Sequence, residues 1–254
     1  MQSQLPALAA NDIAPFALSY DSVATLAAFS EARGITYPLL ADEGSTIIRA
    51  LGILNESVAP TDAHYGIPHP GIYFIGEDGR VTDTIFHATH RTRDAAATVL
   101  REHFGVAEAG DGPHDRQATD TVVTVAALDS ASFVRGERVG LRVTIQLAPG
   151  MHSYGRPLPD GYIPTTLTID GPETLEVEPV IYPPTESLHI AWLDEDLPCY
   201  TGQVTLATAI TFTAQQEVCT LTATLRFQAC TVEECFIPEE LTFTLPIQFR
   251  PFPS

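Results

Sequence analysis

CTLTATLRFQACTVEECFIP, residues 219–238, joins two signals: an alternating apolar–polar run and a closely spaced cysteine pair. Leu221, Ala223, Leu225 and Phe227 recur at every second position, the period of a half-buried β-strand. Cys230 and Cys235 follow at once, with four residues between them and a proline just beyond. A disulfide there closes a very small ring. Loop-closure entropy grows with loop length, so the ring constrains the unfolded chain little. A weak staple at a strand end, read as open to solvent on both cysteines, points to reversible redox chemistry.

Outward from this stretch the same period continues. TVVTVAAL (121–128), ERVGLRVTIQL (137–147), TTLTIDG (165–171), LEVEPVIY (175–182), GQVTLATAITF (202–212) and LTFTLPIQF (241–249) all read as strands. With the run at 219–228 they make seven short strands between Gly/Pro turns, the pattern of an immunoglobulin-like antiparallel β-sandwich. The residues before them read differently. Asp21-Ser22 caps a helix ended by Gly34, short strands lie near Ile13–Tyr20 and Tyr37–Leu40, and Ser45 opens another helix. A hairpin follows at 72–86 around Glu77-Asp78-Gly79, and a closing helix at Arg93–Phe104. This strand–helix alternation describes an α/β domain with a mixed sheet. The expected fold class is therefore α/β plus all-β, with residues 1–106 and 119–254 as domains and the polar stretch 107–118 as a linker.

The 254 residues carry a formal charge of −19, which repels nucleic-acid phosphate. No apolar run is long enough to span a bilayer, and Met1–Tyr20 lacks the basic start and apolar centre of a secretory signal. All four cysteines (Cys199, Cys219, Cys230 and Cys235) lie after residue 198. His64, His69, His87 and His90 are scattered, without the short ligand spacing of a metal site, so none is expected.

Residues 1–106 resemble the thioredoxin-like AhpC/TSA (redoxin) family through ALSYDSVATLAAFSEARGITYPLLADEGSTIIRALGILNE and IPHPGIYFIGEDG. The resemblance implies a cis proline at Pro70, facing an active site. The family's first strand and active-site cysteine would lie upstream of Met1, which leaves this domain without a peroxidatic thiolate. Two explanations stand: a degenerate scaffold, or a start assigned too late in the reading frame.

The β-rich half resembles the N-terminal periplasmic domain of thiol:disulfide interchange protein DsbD and related disulfide bond corrector modules. Pro149–Tyr154, Pro164–Leu167, Tyr200–Gly202 and Phe227–Pro238 carry the likeness, in the family's order. It implies that Cys230 and Cys235 cycle between disulfide and dithiol. Cys235 would attack the client disulfide, and Cys230 would then displace the client. It also implies thioredoxin-like clients, a membrane-embedded or thioredoxin-type electron donor, a periplasmic location and no cofactor. In the same family an acidic cap loop shields the pair. Trp192-Leu193-Asp194-Glu195-Asp196-Leu197 matches it, with Leu197 where an aromatic is usual, and Tyr154 lines the same face.

Glu233 and Glu234 place negative charge beside any thiolate and predict a slow nucleophile until a partner docks. A Gln215-Gln216 hairpin turn would set Cys219 opposite Phe212, on the order of 30 Å from Cys230, as a buried small hydrophobe. It would set Cys199 opposite Val232, as a possible third thiol. The leading reading is a thiol–disulfide exchange module, a protein-disulfide reductase in enzyme terms. Its rivals are an immunoglobulin-like binding module with a static disulfide and the remnant of a peroxiredoxin-type antioxidant enzyme.

Overall fold

Short apolar runs punctuated by caps build the first 96 residues of the computed structural model, which describes residues 1–106, 110–191, 194–215 and 218–250. The chain divides into two compact units, Met1–Ala96 and Ala97–Ser254. The first holds α1 (Leu5–Ala10), β1 (Ala17–Ser19), α2 (Val23–Arg33), β2 (Leu39–Ala41), α3 (Thr46–Ala50), β3 (Ile72–Ile75), β4 (Val81–Ile85) and β5 (Arg93–Asp94). Ser22 caps α2 by accepting the Thr25 amide at 3.2 Å, and Gly34 ends it in the left-handed region at φ 61°. β1 and β2 pair in parallel and β3 and β4 antiparallel, as two separate two-stranded sheets. Among the described residues the parallel pair and the hairpin are thus separate sheets rather than the expected single mixed sheet.

The peptide bond before Pro70, expected to be cis, is not cis: among the described residues the cis bond is Arg156–Pro157. An X–Pro bond prefers trans by about 0.5–1 kcal/mol unless its surroundings impose cis. Here the His69 amide donates to Ile53 O at 2.6 Å and Leu54 bridges Pro68, which holds an extended run into Pro70.

Asp42 anchors α3. Its carboxylate accepts the amides of Thr46 (3.0 Å), Ile47 (3.1 Å) and Ile48 (2.8 Å). Burial alone would raise its pKa, but the three amides outweigh burial and hold it below 3.8. A depressed carboxyl stabilises the fold above its unfolded pKa, and that stability disappears as pH falls through the folded value. Asp42→Asn is therefore expected to remove part of the acid sensitivity of the first unit below pH 3.8, read by amide exchange of α3.

In the second unit, α4 (Ala96–Phe104) precedes β6 (His114–Ala118), β7 (Val122–Leu128), β8 (Glu137–Leu147), β9 (His152–Tyr154), β10 (Thr166–Asp170) and β11 (Leu175–Val177). Then come β12 (Glu186–Ile190), β13 (Glu195–Thr201), β14 (Gln203–Phe212), β15 (Val218–Phe227), β16 (Ala229–Cys230) and β17 (Glu239–Gln248). One sheet runs β11-β14-β8-β7-β6, a second β10-β15-β17, and a third β12-β13-β9-β16. This is an antiparallel, immunoglobulin-like β-sandwich. Alternation along the strands becomes alternation of burial: Leu141, Val143 and Ile145 of β8, Leu221, Ala223 and Leu225 of β15, and Phe243 and Leu245 of β17 are all buried. Phe133 meets Phe212 edge to face at 5.5 Å, and Phe249 closes on both.

Two boundaries differ from expectation. The closing helix falls in the second unit from Ala97 onward, because Ala97, Thr98, Val99 and Leu100 are buried there and Thr98 Oγ1 accepts the Gly140 amide at 2.9 Å. Residues 114–118, expected within the linker, pair antiparallel with β7 as an edge strand, while linker residues 107–109 lie outside the described residues. Arg101 grips Asp129 through its Nε at 3.1 and 2.9 Å, and Arg142 lies 3.4 Å from the same carboxylate, which is fully buried. Gly140 permits this packing, since a Cβ there would lie 2.1 Å from Asp129 Oδ2 and 2.2 Å from Arg101 Nη2.

Strands β14 and β15 do not form the expected hairpin. β14 pairs with β8 and β11, and β15 with β10 and β17, so the connection crosses between sheets. Gln216, half of the proposed turn, lies outside the described residues. Both strands bury one face, and a crossover lets those faces meet across the core rather than share one sheet. Cys219 accordingly pairs with Ile247, not Phe212, and is half-buried rather than buried.

Candidate functional site

Cys230 and Cys235 form a disulfide with Cα atoms 4.0 Å apart, and they face each other as an antiparallel bridge. The intervening turn is built by Thr231. Its amide donates to Glu234 O at 2.8 Å, and its hydroxyl accepts the amides of Glu233 and Glu234, both at 3.2 Å. Beyond it the Phe236 amide donates to Ala229 O at 2.9 Å, and Gln228 Nε2 to Phe236 O at 2.9 Å. The loop is thereby tied to the sheet by hydrogen bonds independent of the S–S bond.

The two sulfurs are not equivalent. Cys230 is 1% exposed, whereas Cys235 is half-buried. The expectation that both meet solvent is therefore corrected: β16 turns Cys230 inward, into a buried cluster that also holds Tyr154, Ile190, Leu197 and Cys199. Leu158, Tyr162, Leu188 and Cys235 pack on the rim of this cluster. Around Cys235, Val232, Phe236 and Ile237 are exposed, Ile237 at 85%. Glu233 and Glu234 also point to water, where solvent and salt weaken their field.

Hairpin β12–β13 contributes Ile190, Leu197 and Cys199 to the cluster that holds Cys230. Leu188 stands opposite Leu197, and His189 opposite Asp196. Leu197 is 2% exposed, while Asp194, Glu195 and Asp196 are exposed. Glu195 accepts the Tyr162 hydroxyl at 2.7 Å, and Asp196 lies 3.1 Å from His189. Trp192 and Leu193 lie outside the described residues. The Tyr154 hydroxyl is 3.3 Å from Cys235 Sγ, and its ring meets Tyr162 at 5.4 Å and His152 at 5.6 Å. Burial, helped by Cys199, Tyr162 and Glu195, pushes the Tyr154 phenol up to about 12, so it keeps its proton at neutral pH.

Cys199 pairs with Glu186 on one side and Tyr154 on the other, not with Val232. Strand β9 separates it from β16, which puts it two strand spacings, about 10 Å, from Cys230. A disulfide needs Cα atoms within about 7 Å, so Cys199 does not reach Cys230 while the sheet stays intact. It is fully buried, and burial pushes its thiol up to about 11. Pro70 lines a separate cleft of ≈ 560 Å³ in the first unit, with Tyr20, His69 and a His87–Asp94 pair at 2.6 Å. Among the described residues no group of three or more His, Cys, Asp or Glu side chains gathers to hold a metal.

Ile190, Leu188, Tyr162 and His152 escaped the sequence reading as parts of the site. His189 and the turn break the alternation around Leu188 and Ile190. His152 carried a signal in Met151-His152-Ser153-Tyr154, where it stands two residues from Tyr154 and so on the same face.

The family model for AhpC/TSA matches residues 1–84, and that described as thiol:disulfide interchange protein DsbD, N-terminal, matches residues 120–247. No curated protein matches the chain. Among solved structures, the N-terminal periplasmic domain of ScsB from Proteus mirabilis is 18% identical with a TM-score of 0.40, over 53% of this chain and 51% of that one. The DsbD n-terminal domain of Neisseria meningitidis in the reduced form is 17% identical with a TM-score of 0.31, over 42% and 75%. The complex between the DsbD N-terminal and PilB N-terminal domains of the same organism gives 14% and 0.30, over 41% and 73%. The chain spans about half the length of the ScsB structure it matches.

Proposed function

Because the chain belongs, through residues 120–247, to the family of the DsbD N-terminal domain, we propose that it exchanges disulfide for dithiol with protein partners through Cys230 and Cys235. The observation that carries this reading is the inequality of the two sulfurs: Cys235 half-buried among exposed apolar side chains, Cys230 sealed behind it. Exchange proceeds by attack of a thiolate on a disulfide through a mixed disulfide. In the dithiol form Cys235 attacks the client, and Cys230 then attacks Cys235 and releases the client as a dithiol. Two electrons pass to the client and the pair returns to a disulfide. Tyr154, still protonated, donates toward the Cys235 sulfur as charge collects there. Leu197, with Leu188 and Ile190, keeps other oxidants from the inner sulfur, and Asp194, Glu195 and Asp196 form the wet outer side of that cover.

The proposed clients are thioredoxin-like proteins, and the proposed donor is a membrane-embedded or thioredoxin-type dithiol. The complex between the DsbD N-terminal and PilB N-terminal domains is an instance of such a domain bound to a protein partner. An extracytoplasmic compartment suits a standing disulfide, and the ScsB neighbour is a periplasmic domain. No helix among the described residues is long and apolar enough to cross a membrane. Residues 1–198 contain no cysteine, so both exchanging thiols come from the second unit.

The test is the redox equilibrium of the pair in graded dithiol/disulfide buffers. Alkylated cysteines are counted by mass, in a Cys199→Ser, Cys219→Ser background. A reversible two-electron transition between about −120 and −270 mV is expected, the span of known dithiol oxidoreductases. A pair that stays oxidised below about −300 mV, as structural disulfides do, would leave a static binding module instead.

A further inference from the structure

His152 is 1% exposed, and its Nε2 is a buried nitrogen with no hydrogen-bond partner among the described residues of the oxidised protein. A buried polar atom left unpaired loses its hydration without replacement, so its persistence calls for an explanation. Its register supplies one. In the antiparallel pair of β16 and β9, His152 stands directly opposite Cys230, and such partners have Cβ atoms about 4.5–5.5 Å apart. His152 also lines a cleft of ≈ 770 Å³ with Met151, Leu188, Thr201, Gly202 and Val232, on the side where the disulfide turn begins.

The disulfide offers this nitrogen nothing, because neither sulfur carries a proton. Reduction changes that: a Cys230 thiol has one S–H to donate, and the facing imidazole has one acceptor to receive it. Burial lowers the His152 pKa, so the ring is neutral and able to accept. Of the other titratable groups nearby, Tyr154 keeps its proton and Cys199 is a buried thiol pushed up to about 11. Asp120, exposed, lines the same cleft.

We propose that His152 is a catalytic residue, the base that takes the Cys230 proton when the inner sulfur displaces the client. The inference rests on the exchange reading above. In the step, the Cys230 S–H proton passes to Nε2 and the Cys230 sulfur bonds to Cys235 Sγ. The bond between Cys235 and the client sulfur breaks, and its electron pair leaves on the client sulfur as a thiolate. The imidazolium then gives its proton to water. Cys230 and Cys235 are oxidised by two electrons, and the client disulfide is reduced by two.

The test uses the reduced full chain in the Cys199→Ser, Cys219→Ser background, mixed with 5,5′-dithiobis(2-nitrobenzoic acid) in a stopped-flow cell. Attack by Cys235 releases one nitrothiobenzoate, and displacement by Cys230 releases the second. His152→Phe is expected to slow the second release by roughly tenfold or more and leave the first unchanged. His152→Gln, which accepts a hydrogen bond but cannot take the proton, is expected to be equally slow. A second release at the normal rate in either variant overturns the proposal, and if His152→Phe fails to fold, His152→Gln decides. A wild-type protein that never releases the second equivalent fails earlier, and takes the exchange reading down with this one.

Discussion

Cys235→Ser is expected to abolish exchange, and Cys230→Ser to trap the client as a stable mixed disulfide. The asymmetry follows from access. The outer sulfur is half-buried beside Val232, Phe236 and Ile237, an apolar rim on which a partner can settle. The inner sulfur lies under Tyr154, Ile190 and Leu197. A thiolate reacts only as fast as it is supplied and reached, and burial penalises both. We expect the rate with a thioredoxin-like disulfide to drop on the order of a hundredfold or more in Cys235→Ser. In Cys230→Ser the first attack should proceed normally and the adduct persist for want of the second thiol. Non-reducing electrophoresis with intact mass reads both results. Equal adduct formation by the two variants would mean that the sulfurs do not have separate roles.

The second large effect is on stability. Asp129→Ala removes a buried carboxylate shared by two arginines, Arg101 at 14% and Arg142 at 24% side-chain exposure. Breaking a buried ion pair from one side costs about 3–5 kcal/mol. At about 2–4 °C per kcal/mol for a chain of this size, the melting temperature should fall by roughly 6–20 °C. Gly140→Ala is expected to fall in the same range without removing a charge, because its Cβ would push into Asp129 and Arg101. Melting of the two variants by circular dichroism checks both. A loss under about 1 kcal/mol in each would show that the cluster does not hold α4 to the sandwich.

Period-two burial is what made the sandwich legible. Val139, Leu141, Val143 and Ile145 announce a one-sided strand in any register, and so do Leu221, Ala223, Leu225 and Phe227. Pairing was not legible. A short polar connection such as the one at Gln215 can turn back along its own sheet or cross to the facing one, and local chemistry does not distinguish them. Both misplaced cysteines, Cys199 and Cys219, descend from that one ambiguity. His114–Ala118 escaped because an edge strand facing water needs no apolar residue, and HDRQA has a single alanine. The cysteine pair was legible by spacing alone. The depth of Cys230 was not, since it depends on β9 and β13, which lie about 30 to 80 residues upstream and meet it only in the folded sheet.

Ten consecutive residue pairs join Val218–Phe227 to Glu239–Gln248, and the redox turn hangs from the end of that ladder. On the proposed exchange reading, the cross-link that breaks and re-forms closes a loop already clamped at its base. Wear and support fall on different parts of the molecule, so each turnover can begin from the same sheet.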